Sequence, residues 1–176
     1  TFQYFASRQD TDAVRLLADH VIARHYPDIG DGPGRYRDLL AAVIARQADL
    51  VARWMLVGFI HGVMNTDNTS ASGETIDFGP CAFMDTYHPA TVFSSIDHGG
   101  RYAFSNQPAV GQWNLVRFAE TLLPLLGDDK DAAVAAAQER LDTFPALFQT
   151  AISAGYARKI GIAAPTSDDL PLIQDV

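Results

Sequence analysis

The residues that could do chemistry lie in two neighbouring segments, 61–68 and 77–79. The first ends on an amide, Asn68, and the second begins with a carboxylate, Asp77. A magnesium–nucleotide site needs hard oxygen ligands of these two kinds from adjacent backbone segments. A small hairpin predicted between them would bring the two side chains together. The sequence therefore predicts a metal–nucleotide site built from Asn68 and Asp77.

The spacing matches the catalytic loop of protein kinases, in which a histidine precedes a metal-binding asparagine and an Asp-Phe-Gly tripeptide supplies the second ligand. Here His61 precedes Asn68 by the same interval, and an Asp-Phe-Gly begins at Asp77. The kinase proton acceptor, two positions after the histidine, is replaced by Val63, so ordinary phosphotransfer is not expected. Asp67 is the nearest candidate for a general base.

Each of these residues also has a purely structural interpretation. Asn68 would cap a turn, Asp77 would be a hydrated carboxylate at a strand end, and His61 would be a hydrogen-bonded core histidine. Asp67 would be an exposed loop residue that changes only the local electrostatic field. Either motif alone is common by chance, but their occurrence together and in order favours the site.

Helices on both sides must position these segments. Apolar residues recur at helical spacing over 10–26 and 35–59, and the long apolar stripe of the second range predicts a central helix. Asp10 or Thr11 can cap the first helix, and Pro27 ends it. We therefore predict a mainly α chain with a small β-hairpin that carries the metal motif.

The predicted hairpin has its turn at Ser72-Gly73 and its strands over 69–70 and 75–78. The range 81–108 has no sustained period and predicts a long ordered loop. Downstream, one helix is predicted from the cap Asn114 to about Leu123, and another from a cap at Asp129 or Asp131 to about Phe144. A third helix is predicted over 146–159, and Pro145 either starts it or kinks the previous helix. A helical stub is predicted within 164–176. Trp54 and Trp113 are predicted to be core residues, and Cys81 a buried free thiol.

Composition limits the class of protein. The 176 residues are 48% hydrophobic, enough for one core, and predict a single domain over 1–176. The net charge of −8 argues against a nucleic-acid partner, and no apolar run is long enough to cross a membrane, so no membrane partner is expected. One cysteine cannot form an intrachain disulfide, which favours a reducing, cytoplasmic compartment.

Longer stretches around the motifs resemble the selenoprotein O (YdiU) family. These stretches are 1–5, 25–27, 58–68, 75–80, 97–104 and 107–115, and they span most of the chain. The resemblance implies the helical carboxyl-terminal lobe of a protein-kinase-like fold. It also implies a bacterial cytosolic enzyme that transfers AMP from ATP to Ser, Thr or Tyr hydroxyls of protein substrates.

The resemblance also assigns roles to the candidate residues. By it, Asp67 is the proton acceptor, Asn68 is a ligand of Mg²⁺ or Mn²⁺, and Asp77 is a ligand of that metal that also contacts ATP. The nucleotide would bind in a flipped orientation, so that the α-phosphorus faces the attacking hydroxyl and pyrophosphate leaves.

Two parts of a complete enzyme of this kind are not found. A glycine-rich phosphate cover and a lysine paired with an acidic residue should precede the catalytic loop. The glycines of 30–34 lie between predicted helices, and the only lysines, Lys130 and Lys159, are downstream. We therefore expect a fragment that lacks the amino-terminal lobe, which would be its partner, and that is inactive alone. The alternative is a non-catalytic, pseudokinase-like module that binds nucleotide or metal or has a regulatory role. The replacement of the kinase base by Val63 favours this alternative.

Overall fold

The computed structural model describes residues 1–163 and 165–174, and this part of the chain is mainly helical, as predicted. Its helices are α1 (Phe2–Ala6), α2 (Thr11–His25), α3 (Arg35–Leu56), α4 (Gln107–Leu126), α5 (Lys130–Leu141), α6 (Phe144–Lys159) and α7 (Leu170–Gln174). Two short strands, β1 (Phe59–Ile60) and β2 (Ala82–Phe83), pair antiparallel. None of the helices in the described ranges is long and apolar enough to cross a membrane.

Side-chain capping sets where two of the helices, α2 and α5, begin. The Asp10 side chain accepts a hydrogen bond of 3.0 Å from the backbone N–H of Ala13 at the start of α2, and that helix ends just before Tyr26 and Pro27. Asp129 accepts from two backbone N–H groups in the first turn of α5. Such bonds satisfy helix N–H groups that have no partner within the helix. The predicted boundaries of α2 and the predicted cap of α5 are confirmed.

Helix α3 is the centre of the fold, as its apolar stripe predicted, and packs against α4, α5 and α6. Its buried side chains include Leu39, Leu40, Val43, Ile44, Ala48 and Val51. The contact between α3 and α6 is especially close at Gly155, where an added Cβ would lie 2.1 Å from Cδ1 of Leu56. Only a residue without a side chain fits there unless Leu56 moves.

A second cluster of buried apolar residues lies where α3 ends and β1 begins. Its members are Val51, Trp54, Phe59, Met64 and Val110. They come from α3, β1, the segment after β1, and α4. This cluster therefore forms an apolar base beneath the 61–68 segment.

The predicted hairpin is confirmed at one residue pair only, and its two strands do not form. Thr69 and Thr75 form a single isolated bridge, and the ladder instead joins β1 to β2, with Phe59 opposite Phe83 and Ile60 opposite Ala82. Strands of two residues are too short to show an alternating pattern in the sequence. The segment between the motifs is held by side chains of α3 rather than by a longer ladder.

The predicted start of α4 is also wrong. The helix begins at Gln107, before the predicted cap Asn114, which instead lies buried inside it. Pro108 is tolerated because the backbone N–H groups of a helix's first turn have no carbonyl acceptor within the helix, so the missing N–H of proline breaks no helical bond. At α6, Pro145 lies in the first turn, so of the two alternatives it starts a helix rather than kinking one.

Two predictions about individual side chains fail. Trp54 is buried as predicted, but Trp113 is 44% exposed, because the face of α4 that carries it is not covered. Cys81 is only half-buried, and its Sγ lies 3.2 Å from the carbonyl oxygen of Phe78. The predicted helical stub is α7, and the remaining tail residues 164, 175 and 176 lie outside the described residues.

Candidate active site

The strand pair brings the two motif segments together. β1 leads directly into 61–68, and β2 follows 77–79. Because the two strands are antiparallel, both segments lie at the same end of the ladder. Gly62 has a φ of +82°, and an added Cβ there would lie 3.0 Å from the carbonyl oxygen of Pro80. Glycine is needed at this position both for the left-handed backbone and for the close approach of the second segment.

His61 ties the two segments together. Its ring is 1% exposed, packs against Trp54, and has Nε2 at 2.8 Å from the carbonyl oxygen of Ile76. The backbone N–H of Val63 points to Nδ1 at 3.4 Å, which makes Nδ1 the acceptor and Nε2–H the donor to Ile76. The structural interpretation of His61 as a hydrogen-bonded core histidine is therefore correct. Its bond fixes the backbone next to Asp77.

Asn68 ends a short 3₁₀ turn, Thr66–Asn68, and is half-buried. Its amide Nδ2 donates to the carbonyl oxygen of Val63 at 3.0 Å, so the side chain closes the loop across five residues. Because the nitrogen is used in this bond, the amide oxygen is the atom left for another ligand. Among the described residues, that oxygen has no hydrogen-bond donor.

Asp77 is exposed and has a φ of +57°, a left-handed conformation that is uncommon for a residue with a side chain. Strained backbone of this kind concentrates at functional sites. Within the described ranges its carboxylate takes part in no hydrogen bond or ion pair, and the following Phe78 is 62% exposed. The carboxylate is therefore available to an external ligand.

Asp67 lies in the wall of a cavity that is enclosed by four helices and the loop. Asp67 is exposed and lines this cavity, which has a volume of about 790 Å³ and lies between α1, α2, α3, α4 and the loop, together with Thr66 and Ile76. Neither Asn68 nor Asp77 lines this cavity. The cavity lining therefore includes the candidate base but neither candidate metal residue.

The described residues contain no group of three or more His, Cys, Asp or Glu side chains placed to hold a metal ion. Asn68 and Asp77 together offer one amide oxygen and one carboxylate. That donor set suits Mg²⁺, which usually keeps several waters and takes one or two protein oxygens together with phosphate oxygens. A site that shares its metal with a nucleotide fits these residues, and a structural site enclosed by protein does not.

Two polar residues of α4, missed as anchors by the sequence analysis, hold the 61–68 segment. Gln107 is fully buried, accepts from the backbone N–H of His61 at 2.9 Å and donates to the carbonyl oxygen of Phe59 at 2.9 Å. Asn114 donates through Nδ2 to the carbonyl oxygen of Met64 at 3.0 Å and to Oγ1 of Thr69 at 2.9 Å. The two residues lie two turns apart on an apolar helix face, and that pattern is the signal that could have found them.

A third anchor comes from the loop before α4. The Asp97 carboxylate accepts from the backbone N–H groups of Arg101 at 2.9 Å and Tyr102 at 2.8 Å. The Tyr102 hydroxyl then donates to Oδ1 of Asn65, three residues before Asn68. This contact links the irregular 81–108 range to the candidate catalytic loop.

The segment between the motifs is clamped from α3. Arg46 donates to the carbonyl oxygen of Ser72 at 3.0 Å, and Gln47 donates to that of Ser70 at 2.7 Å. At Gly73, with a φ of +76°, an added Cβ would lie 2.6 Å from Cβ of Arg46.

Tyr26, at the end of α2, holds the same segment. Its hydroxyl donates to the carbonyl oxygen of Ala71. Burial raises the pKa of Tyr26 to about 12, although the nearby Arg46 guanidinium opposes the shift.

Comparison with known proteins agrees with the family resemblance of the sequence around these motifs. The family described as Protein adenylyltransferase SelO matches residues 1–175. The chain is also similar to proteins from several bacteria that are named Protein nucleotidyltransferase YdiU. The one from Bradyrhizobium sp. (strain ORS 278) is 64% identical over 174 residues, which is 99% of this chain and 35% of that protein. The one from Rhizobium rhizogenes (strain K84) is 61% identical over 176 residues, 100% of this chain and 35% of that protein.

The chain belongs to the SelO family. It spans about a third of the length of these curated relatives. The resemblance identified from the sequence is confirmed.

Proposed function

We propose that this chain is the helical, catalytic-loop-bearing lobe of a kinase-like protein adenylyltransferase, and that the whole protein transfers AMP from ATP to Ser, Thr or Tyr hydroxyls of other proteins. The observation that carries the proposal is the pairing of the two motif segments through Gly62 and His61. Asp67, Asn68 and Asp77 lie on the two segments that this pairing joins. The name adenylyltransferase in the matched family supports the same reaction class.

Asn68 and Asp77 would hold Mg²⁺ or Mn²⁺, and Asp77 would also contact ATP. The bound metal would neutralise charge on the phosphate oxygens as the bond to pyrophosphate breaks. The amide bond from Asn68 to Val63 fixes which atom of that side chain faces outward. Asp77 has a left-handed backbone and is exposed, so its carboxylate is accessible to a metal.

Asp67 would accept the proton of the attacking hydroxyl. The hydroxyl oxygen then bonds to the α-phosphorus, and the bond between that phosphorus and the bridging oxygen of pyrophosphate breaks. Asp67 is exposed to the cavity and has no positively charged partner among the described residues, so it is free to receive a substrate hydroxyl. Positioning of the two oxygens would supply much of the rate enhancement.

The remaining nucleotide contacts would come from the part of the protein that this chain does not span. Neither lysine is near the motif segments by sequence, and Lys159 donates to the carbonyl oxygen of Leu56 at the end of α3. We therefore expect the 176-residue chain alone to be inactive. The need for ATP, together with a single unpaired cysteine, favours a cytoplasmic location.

A paired-label experiment tests the reaction class. The full-length protein containing this chain is incubated with Mg²⁺, a protein mixture, and ATP labelled either at the α- or at the γ-phosphate. AMP transfer places only the α-label on protein, whereas kinase activity would place the γ-label. Binding of ATP with neither transfer would instead support the alternative, a non-catalytic pseudokinase-like module, for which Val63 in place of the kinase base is the favouring observation.

A further inference from the structure

Three side chains form an exposed cationic and aromatic cluster: Arg101, Trp113 and Arg117. The Arg101 guanidinium carbon lies 4.8 Å from the centre of the Trp113 indole, and that of Arg117 lies 5.4 Å from it. Two guanidinium groups therefore share one indole that is 44% exposed. Such contacts hold the guanidinium planes in place without using their N–H groups, which can still bind an anion where no carboxylate of the protein already does so.

The two arginines differ in charge compensation. Arg117 forms an ion pair of 2.7 Å with Glu120 on the next turn of α4. Arg101 forms no ion pair with any carboxylate of the described residues, and the nearby Asp97 carboxylate bonds to its backbone N–H instead. The cluster therefore carries one uncompensated positive charge, in a chain whose net charge is −8.

The cluster lies beside the loop that carries Asp67. Tyr102, next to Arg101, donates to Asn65 in that loop. Arg117 and Asp67 line the same cavity, which Asn68 and Asp77 do not line. The cluster therefore reaches the cavity that Asp67 lines through Arg117, whereas Arg101 and Trp113 lie outside the cavity lining.

We propose that the Arg101–Trp113–Arg117 cluster binds an acidic side chain of the protein substrate, close in sequence to the hydroxyl that is modified. This inference rests on the proposed function and names the substrate class of the same site. A carboxylate suits the cluster because a guanidinium fork can donate two parallel N–H bonds to it. Arg101 is a specificity residue in this account, and it takes no part in the transfer of AMP itself.

Peptide kinetics with the full-length protein test the proposal. A library of serine-centred peptides carries Glu, Gln or Lys at one flanking position, and KM and kcat are measured with α-labelled ATP. An exposed ion pair contributes up to about 1 kcal/mol, so we expect KM for Glu peptides to be up to roughly fivefold below that for Gln peptides. Arg101→Glu should reverse the order and favour Lys peptides, and Arg101→Lys should keep it. Neither variant should change kcat or the KM for ATP.

Arg24→Glu is the matched control, because Arg24 is exposed on α2 and is not part of the cluster. The proposal is overturned if Arg101→Glu leaves the Glu-to-Lys preference unchanged, or if it raises the KM for ATP instead. If the wild-type protein labels no hydroxyl at all, the proposed function fails. Binding of fluorescent Glu and Lys peptides, compared between wild type and Arg101→Glu by anisotropy, then decides the cluster's role by itself.

Discussion

Replacing Gln107 tests whether α4 holds the candidate catalytic loop. Its side chain is fully buried and makes one bond to the N–H of His61 and one to the carbonyl oxygen of Phe59, each of 2.9 Å. These backbone groups come from β1 and from the first residue of the 61–68 segment. In Gln107→Ala both would be left without a partner in the interior.

The expected loss of stability follows from that count. Each buried backbone group left unsatisfied costs about 1–3 kcal/mol, so two groups cost about 2–6 kcal/mol. This is a large part of the roughly 5–15 kcal/mol that stabilises a typical domain. Gln107→Met, which fills the space without restoring the bonds, should lose most of the same free energy. The comparison separates hydrogen bonding from packing.

Urea unfolding of the chain, followed by circular dichroism, measures the change. The matched control is Gln138→Ala, because the Gln138 side chain is exposed on α5 and bonds only to Asp142. We expect that control to change stability by less than about 0.5 kcal/mol. A loss below about 1 kcal/mol in both Gln107 variants would refute the role given to this residue.

Three further changes have defined outcomes. Burial raises the folded-state pKa of Tyr26 to about 12, above the ordinary value of 10.0. The neutral Tyr26 therefore contributes fully to stability below pH 10, and this contribution is lost as the pH rises towards 12. The two-unit shift amounts to about 3 kcal/mol, and urea titrations across this range should show a shallower loss for Tyr26→Phe than for wild type. Gly62→Ala forces a side chain onto a left-handed backbone against Pro80 and should cost at least about 1 kcal/mol in the same assay, where an unchanged midpoint would contradict the close approach. Gly155→Ala should cost about 1–3 kcal/mol by overpacking Leu56, and a stabilised variant would show that the α3–α6 contact is looser than described.

Local chemistry made much of the helical framework predictable. Asp10 and Asp129 each act on backbone groups within three residues, so their effect can be identified from the sequence around them. The apolar period of α3 is likewise a property of one continuous segment. The strands could not be predicted, because two residues hold no period. The start of α4 was missed because Gln107 is buried by partners far away in the chain.

The candidate site divides in the same way. The spacing within 61–68 and the Asp-Phe-Gly at Asp77 identified both motif segments, because these signals are local. The anchors Gln107 and Asn114 could not be assigned, since their partners are backbone groups about fifty positions earlier. Arg101 is not among the predicted site residues, because its position over Trp113 is a property of the folded chain only.

Transfer of α-label by an Asp77 variant tests the central claim most directly. The full-length protein with Asp77→Asn keeps the size of the side chain but loses the charge that would bind the metal and ATP. Asp85→Asn is the control, because Asp85 is an exposed carboxylate in the same irregular region. We expect Asp77→Asn to abolish Mg²⁺-dependent labelling of protein and Asp85→Asn to retain it. Undiminished labelling by Asp77→Asn would contradict the site.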